Sequence, residues 1–250
     1  MEHSYILISG SDDRGPKEIL GGTLEAFLGS PYLEKWYVES PDFSHAKIES
    51  LPTGIYPSGL PTFRRAARLH ELRKNGLLLP AERPPRVLCA FRLSHKSRAD
   101  SREICSSSLG ATIEDELKDT DFNTATSNPG YIGRRQEDPA FMALANSTFN
   151  AMAKYAFVLC PRGVTLDSHR TTEALLAGSI PIVQSSISSL DEMYRAMGAV
   201  VIVNNWDEIT ESSLNTWIER FGPQFEGRKG AIAATQGFWL SRIFGNPQLE

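Results

Sequence analysis

The stretch FVLCPRGVTLDSHRTTEALLAGSIPIV, residues 157–183, decides the prediction of the fold. An apolar run ends at Cys160, a charged loop follows, and an Ala/Leu-rich helix is predicted over 170–178 before a second apolar run at 180–183. Apolar runs that do not alternate with polar residues predict strands buried on both faces, and an intervening helix predicts that such strands are parallel. The charged loop then lies at the carboxyl end of a buried strand, where α/β proteins bind their ligands.

The same alternation of short apolar runs and helices extends over most of the chain. Strands are also predicted at 5–9, 35–40, 46–52, 86–91, 155–160 and 199–204, and helices from about Pro16, over 61–76, near 100–109, over 139–154 and 188–196, and around Phe238 and Trp239. We therefore predict an α/β fold with two Rossmann-like units. The first covers 1–80, with a C-terminal helix at 229–245 packing back on it, and the second covers 86–225 after a proline-containing linker at 77–86.

Composition excludes some partners. The chain has 250 residues, a formal net charge of -4 and a pI near 5.8, so it lacks the basic surface that nonspecific nucleic-acid binding requires. No apolar run approaches the roughly 18 residues of a membrane span, so no span is predicted in this chain and the cytoplasm is the expected location. A piece trimmed from a membrane-anchored protein would have the same character.

The cysteines are few and odd in number: Cys89, Cys105 and Cys160. Cys89 and Cys160 lie in apolar runs, where a free thiol packs as a small hydrophobic group. Because there is no CxxC pair, a structural zinc site is not predicted. Three thiols are typical of a reducing compartment.

The charged loop has the chemistry of an anion site. Arg162 and Arg170 are permanent cations whose guanidinium groups can bind phosphate oxygens in bidentate fashion. Gly163 allows the backbone to approach a ligand closely. Either Asp167 or Ser168 can cap the following helix, and the amides and dipole of a helix start also favour an anion.

Glu173 adds a carboxylate to this site. It follows Arg170 by three positions, so both side chains can face the same side of the helix. A carboxylate in that place suits the paired hydroxyls of a ribose, which together with two cations describes a site for a nucleoside diphosphate. The alternative is structural: Asp167 and Glu173 would pair with Arg162 and Arg170 and bind nothing, since such ion pairs at helix starts are common.

Several segments resemble one enzyme family. CPRGVTLDSHRTTEALLAGSIPIV resembles the donor-binding segment of exostosin-like (GT47-type) glycosyltransferases, whose pattern is C-P-R-G-x-x-x-D-x-x-R-x-x-E-A-L-x-x-G-x-I-P-I-V. YILISGSDDR, HAKIESLPTGI, FRLSHKSRADSREI and IVNNWDEIT resemble further segments of related transferases. Where relatives often have His-Asn after the first strand, this chain has Gly10-Ser11.

The resemblance implies a GT-B fold, in which two Rossmann-like lobes with parallel sheets face a cleft and the C-terminal lobe holds the nucleotide sugar. Arg162 and Arg170 would contact the diphosphate or the sugar, and Glu173 would contact the ribose. Asp167 and His169 would lie near the transferred sugar.

The segment SHKSRADSRE is expected to contribute a further cation to the donor, from Lys96, Arg98 or Arg102. The alternative is a solvated loop and helix start with no ligand.

The implied activity is transfer of a sugar from a nucleoside-diphosphate sugar to a hydroxyl of a glycan acceptor, with inversion, without a metal and without a cofactor. UDP-sugars are the first expectation and GDP-sugars the second. Inversion requires a general base. Asp13 is the expected base and Asp12 the second choice, although SGSDD also fits a capping turn. His45 is another candidate, with a partly buried structural role beside Lys47 as its alternative.

Other functions stay open from the sequence. Asp119-Thr120-Asp121 has the D-x-D form that binds a metal in GT-A enzymes, but it follows a helix-like segment and is interpreted as a solvated turn. An epimerase or hydrolase of nucleotide sugars would consume donor without an acceptor. A binding protein without turnover would keep Arg162, Arg170 and Glu173, and the missing His-Asn favours it slightly.

Overall fold

A computed structural model describes residues 3–10, 14–55, 71, 76–91, 96–113, 147–228 and 232–245. The predicted base residues Asp12 and Asp13, the D-x-D residues Asp119 and Asp121, and most of the predicted helix at 61–76 lie outside these residues. The chain forms an α/β structure with two parallel sheets, as predicted.

Within the described residues, the small unit is a three-stranded parallel sheet with two short helices packed on it. Its elements are β1 (Tyr5–Ser9), α1 (Pro16–Leu20), α2 (Leu24–Leu28), β2 (Leu33–Glu39) and β3 (Ile48–Leu51), and its strand order is β1-β2-β3. Trp36 of β2 packs edge-to-face on Phe27 of α2, with ring centroids 5.2 Å apart. Its indole Nε1 donates to Ser9 Oγ at 2.8 Å, so the buried ring keeps its polar group paired.

The large unit is a five-stranded parallel sheet with helices around it. Its elements in the described ranges are β4 (Val87–Cys89), α3 (Arg102–Ser106), β5 (Gly110–Thr112), β6 (Phe157–Leu159), α4 (His169–Leu176), β7 (Ile180–Gln184), α5 (Ser188–Met197), β8 (Val201–Val203) and α6 (Glu211–Phe221). The C-terminal helix, α7 (Gln236–Phe244), buries Trp239 in the hydrophobic core of this unit, and its predicted packing on the small unit stays a prediction. The residues of β4 and β6 are 0% exposed, which confirms that these runs are strands buried on both faces.

The strand order of the large unit is β5-β4-β6-β7-β8. After β4 the chain forms β5 on one side, and β6 then pairs with β4 on the other side. The order therefore reverses between β4 and β6. In open α/β sheets such a switch point leaves a crevice at the carboxyl ends of the two strands, where ligands bind.

The boundaries of the elements differ from the predictions at several points. The predicted strand 155–160 is confined to Phe157–Leu159, and the predicted helix 170–178 runs over His169–Leu176. β5 and α6 were not predicted. Three residues are too few to show a hydrophobic period, which explains why Gly110–Thr112 escaped detection.

The segment 77–86 is more than a linker. Arg83 is only 4% exposed, and its guanidinium donates to the carbonyls of Tyr155 and Ala177 and to Ser179 Oγ, at 3.3, 3.3 and 2.9 Å. Burial lowers the pKa of Arg83 to about 10. These bonds attach the segment to the large unit, while the boundaries of the two predicted domains stay a prediction.

The interpretation of Cys89 as a free thiol is wrong. Cys89, at the end of β4, forms a disulfide with Cys105 of α3, and only Cys160 is a free cysteine. Disulfides persist mainly in oxidising environments, so the bond argues against the reducing compartment that the cysteine count indicated. The two cysteines lie 16 positions apart and in different elements, which a spacing rule for metal or redox motifs does not detect.

The part of the chain that the structure describes contains no helix that is both long enough and apolar enough to cross a membrane.

Candidate functional site

The loop between β6 and α4 is held at both ends by backbone bonds. Cys160 N donates to Ile182 O at 2.8 Å, which ties the end of β6 to β7. Ser168 is the N-cap of α4, because its hydroxyl accepts from Arg170 N at 3.3 Å and its carbonyl accepts from Thr171 N. Ser168, rather than Asp167, therefore fulfils the predicted capping role.

Arg170 and Glu173 form an ion pair, which is part of the structural alternative given for this loop, while the ribose contact expected of Glu173 stays a prediction. The Nη1 and Oε2 atoms are 2.5 Å apart, and the Glu173 side chain is 2% exposed while that of Arg170 is 27% exposed. Glu173 is thus a buried carboxylate that fixes a half-buried guanidinium at the start of α4. An arginine held in this way is preorganised for an anion, since little side-chain freedom is left to lose.

Arg98 reaches the same place from the other side of the switch point. It lies on the 3₁₀ turn Lys96–Ser101 that follows β4, and its guanidinium stands over the Phe91 ring at 5.3 Å from the centroid. A Cβ added to Gly163 would lie 3.7 Å from Arg98 Nη2, so the loop after β6 passes directly beside this cation. Burial, together with the positive charge of Arg170, lowers the pKa of Arg98. Arg98 and Arg170 therefore repel each other across the crevice.

Of the other predicted cations, Arg162 and Arg102 are exposed, and the side chain of Lys96 is not described. Arg162 is exposed on the loop after β6, and Arg102 is exposed on the first turn of α3. Lys96 begins the 3₁₀ turn, but its side chain lies outside the described part of the chain.

A polar cavity of about 300 Å³ lies along the carboxyl ends of β6 and β7. Arg162 and Asp100 line it together with three polar residues that follow or end β7 and an aromatic residue after β8: Gln184, Ser185, Ser186 and Trp206. In the sequence, Trp206 stands out only as part of the segment IVNNWDEIT, and the three polar residues were not predicted. Their position directly after an apolar strand was the available signal.

Asp167 is buried rather than open to the crevice. It is 1% exposed, and its carboxylate accepts from Thr53 N, Tyr194 Oη and Thr171 Oγ1 at 2.9, 2.9 and 3.2 Å. His169 lies next to Gly54, with Nδ1 3.1 Å from the Gly54 carbonyl. Both side chains thus contact the segment after β3 of the small unit.

His45 is a turn residue. Its Nδ1 accepts from Lys47 N at 3.1 Å, in agreement with the structural alternative, but the side chain is exposed and not partly buried as expected.

The small unit has a cavity of its own, of about 290 Å³, at the end of β1 and β2. Its walls include Leu7, Phe27 and Trp36, and Glu39 lies at its edge beside Gly10. A Cβ at Gly10 would stand 2.5 Å from Glu39 Oε2, so a histidine there, as in the resembling transferases, would displace this carboxylate.

Among the described residues, no group of three or more His, Cys, Asp and Glu side chains is arranged to hold a metal ion.

No protein-family model matches this sequence, and no curated protein is significantly similar to it. The resemblance to exostosin-like transferases therefore rests on the quoted motifs, and the family of the chain stays a prediction.

Proposed function

We propose that the protein is a glycosyltransferase that binds a nucleoside-diphosphate sugar at the switch point of the large unit. The observation that carries this proposal is the placement of two arginines at the switch point: Arg98, on the turn after β4, lies beside Gly163 of the loop after β6, and Arg170 lies on the first turn of α4, which follows that loop. Two neighbouring cations repel each other, so an anion that lies between them lowers the free energy of the pair. A diphosphate has the charge and the separated oxygens to contact both.

The proposal assigns a role to each of these side chains. Arg98 and Arg170 bind the diphosphate, and Glu173 holds Arg170 in position. Arg162 lines the polar cavity, which is large enough to hold part of the nucleoside or the sugar. Fixed cations stabilise the negative charge that develops on a departing nucleoside diphosphate, so this arrangement supplies electrostatic catalysis at the leaving group.

The remaining features of the proposal come from the resemblance. The donor is a UDP-sugar as the first choice, with a GDP-sugar as the second. The acceptor is a glycan hydroxyl, and the reaction proceeds with inversion. Asp13, or Asp12, is the general base; both follow β1 in the sequence. Arginines and helix amides would serve the leaving group in place of a metal.

The experiment is a binding titration of UDP, GDP and their common sugars, with and without EDTA. Arg98→Met removes one cation, and the double variant Arg170→Met/Glu173→Gln removes the other without leaving a buried carboxylate unpaired. Each is expected to weaken binding by about tenfold to a hundredfold, because a hydrogen bond to a charged group contributes about 1.5–3 kcal/mol. Arg220→Met, an exposed arginine on α6, is the matched control and is expected to bind like the wild type.

Absence of binding by every nucleotide, or equal binding by Arg98→Met and the wild type, would contradict the proposal. Once a donor is found, incubation without an acceptor separates the rival activities. Rapid consumption of donor in the absence of any acceptor would identify a hydrolase or an epimerase, whereas transfer requires both substrates.

A further inference from the structure

Asp167 connects the two units of the protein. It lies in the loop immediately before α4, and it accepts a hydrogen bond from the backbone N–H of Thr53, two residues beyond the end of β3. The other two donors, Thr171 Oγ1 and Tyr194 Oη, belong to α4 and α5 of the large unit. A single buried carboxylate thus joins three elements, one of them from the small unit.

The chemistry of the contact favours a fixed arrangement. Burial, together with the nearby charge of Asp167, raises the pKa of Tyr194, so the phenol stays protonated and acts as the donor. A carboxylate that accepts charge-assisted bonds from buried groups is costly to separate from them, since each donor would be left unsatisfied. The bond to Thr53 N is therefore stronger than the hydroxyl–hydroxyl contacts Ser50–Ser189 and Ser44–Ser188, which also join the units.

His169 reinforces the same connection. Its Nδ1 lies 3.1 Å from the carbonyl of Gly54, the residue after Thr53, and Gly54 adopts a positive φ of 71°. Glycine takes this backbone conformation at little cost, which lets the segment turn towards His169. Two successive residues of the small unit are thus bound by two residues that flank the cap of α4.

We propose that Asp167 is a positioning residue that fastens the segment 51–55 of the small unit to the start of α4. Arg170 lies on the first turn of that helix, directly after His169. An anion at Arg170 therefore acts on the same short segment that holds the small unit, and binding there reduces opening of the contact at Thr53. The contact between Asp167 and Thr53 is independent of the proposed function, whereas the coupling of this contact to a bound nucleotide rests on the proposed function.

Hydrogen exchange of the backbone amides tests both parts in the whole chain. In the ligand-free protein, Asp167→Ala is expected to speed exchange in the peptide covering 51–55 by about tenfold, because the Thr53 amide loses its acceptor. Asp167→Asn keeps an oxygen for Thr53 and can donate its amide to the hydroxyls of Tyr194 and Thr171, so exchange should stay within about threefold of the wild type. Tyr194→Phe is the matched control: it removes a partner within the large unit and should leave 51–55 nearly unchanged.

Exchange of the strands 157–159 and 180–184 reports whether a variant is folded. If Asp167→Ala does not fold, His169→Ala, which removes the contact to Gly54, replaces it and is expected to speed exchange in 51–55 by at least threefold. Unchanged exchange in 51–55 in a folded Asp167→Ala or His169→Ala protein would overturn the positioning role.

The coupling is measured by adding UDP at saturation. It should slow exchange in 51–55 at least threefold in the wild type and have no effect there in Asp167→Ala. If UDP binds and 51–55 does not respond in the wild type, the coupling is refuted. If no nucleotide binds, the proposed function fails, and the ligand-free exchange still decides whether Asp167 fastens the units.

Discussion

Arg83 offers the sharpest test of how the large unit is held together. Its guanidinium is buried in the segment before β4 and donates to Leu78 O, Tyr155 O, Ala177 O and Ser179 Oγ. The pKa of about 10 means that the group is still charged at neutral pH. We predict that Arg83→Met, which keeps a long side chain and removes every donor, lowers the free energy of unfolding substantially.

The magnitude follows from the acceptors that are left behind. Leu78 is exposed, so water can replace the arginine at its carbonyl. Tyr155 O keeps the bond from Ser179 Oγ at 3.1 Å, whereas Ala177 O loses the two bonds that Arg83 donates to it. Each buried acceptor that loses its donor costs about 1–3 kcal/mol. If the full cost is assigned to Ala177 O and part of it to Tyr155 O, Arg83→Met should lower the free energy of unfolding by about 2–4 kcal/mol.

The assay is denaturant unfolding followed by circular dichroism and tryptophan fluorescence, with the midpoint and slope measured for each variant. Arg220→Met is the control, since this exposed arginine on α6 only stacks on Phe221, with Cζ 4.9 Å from the ring centroid. It should change stability by about 1 kcal/mol at most. A loss for Arg83→Met no larger than that of the control would refute the account of Arg83 as a buried anchor.

Two further predictions concern the disulfide and the backbone. In denaturant without a reductant, a thiol reagent should find one reactive cysteine, Cys160, and three after reduction; three without reduction would disprove the disulfide. The folded protein should give none, because burial raises the pKa of the Cys160 thiol and keeps it protonated. Gly110→Ala should cost more than about 3 kcal/mol, since its Cβ would lie 2.2 Å from the Ile104 carbonyl oxygen in the fixed backbone of α3. Gly198→Ala, with φ 77° and open space around the glycine, should cost only about 1 kcal/mol. Thermal melts compare the two variants, and a melting temperature for Gly198→Ala at or below that of Gly110→Ala would refute the packing account.

The parts of the structure that could be predicted are those with a local cause. The strands β6 and β7 are apolar runs, and α4 begins at a capping serine, so the sequence around 157–183 was sufficient to place them. That the side chains of Arg170 and Glu173 lie on the same side of α4 followed from their i, i+3 spacing in the same way.

The parts that could not be predicted depend on contacts between distant residues. Nothing local distinguishes Arg83 from a solvated linker residue, because its buried acceptors on Tyr155, Ala177 and Ser179 lie 72 to 96 positions further on. The bond from Thr53 N to Asp167 spans 114 positions and gave no signal in a single sequence. The sequence left three residues open as the further cation, and Arg98 was only one of them. The strand order that brings Arg98 near the loop after β6 is a property of the whole sheet.

Whether the Cys89–Cys105 disulfide has formed in a sample affects the crevice directly. Cys89 and Cys105 flank the segment that carries Arg98, so the covalent bond closes a short loop around one of the two facing arginines. Such a loop restricts the unfolded chain by about 3 kcal/mol. Material produced in a reducing host and material that has passed through oxidative folding are therefore two different preparations of the same sequence, and nucleotide titrations should be compared only between samples whose thiol content has been counted.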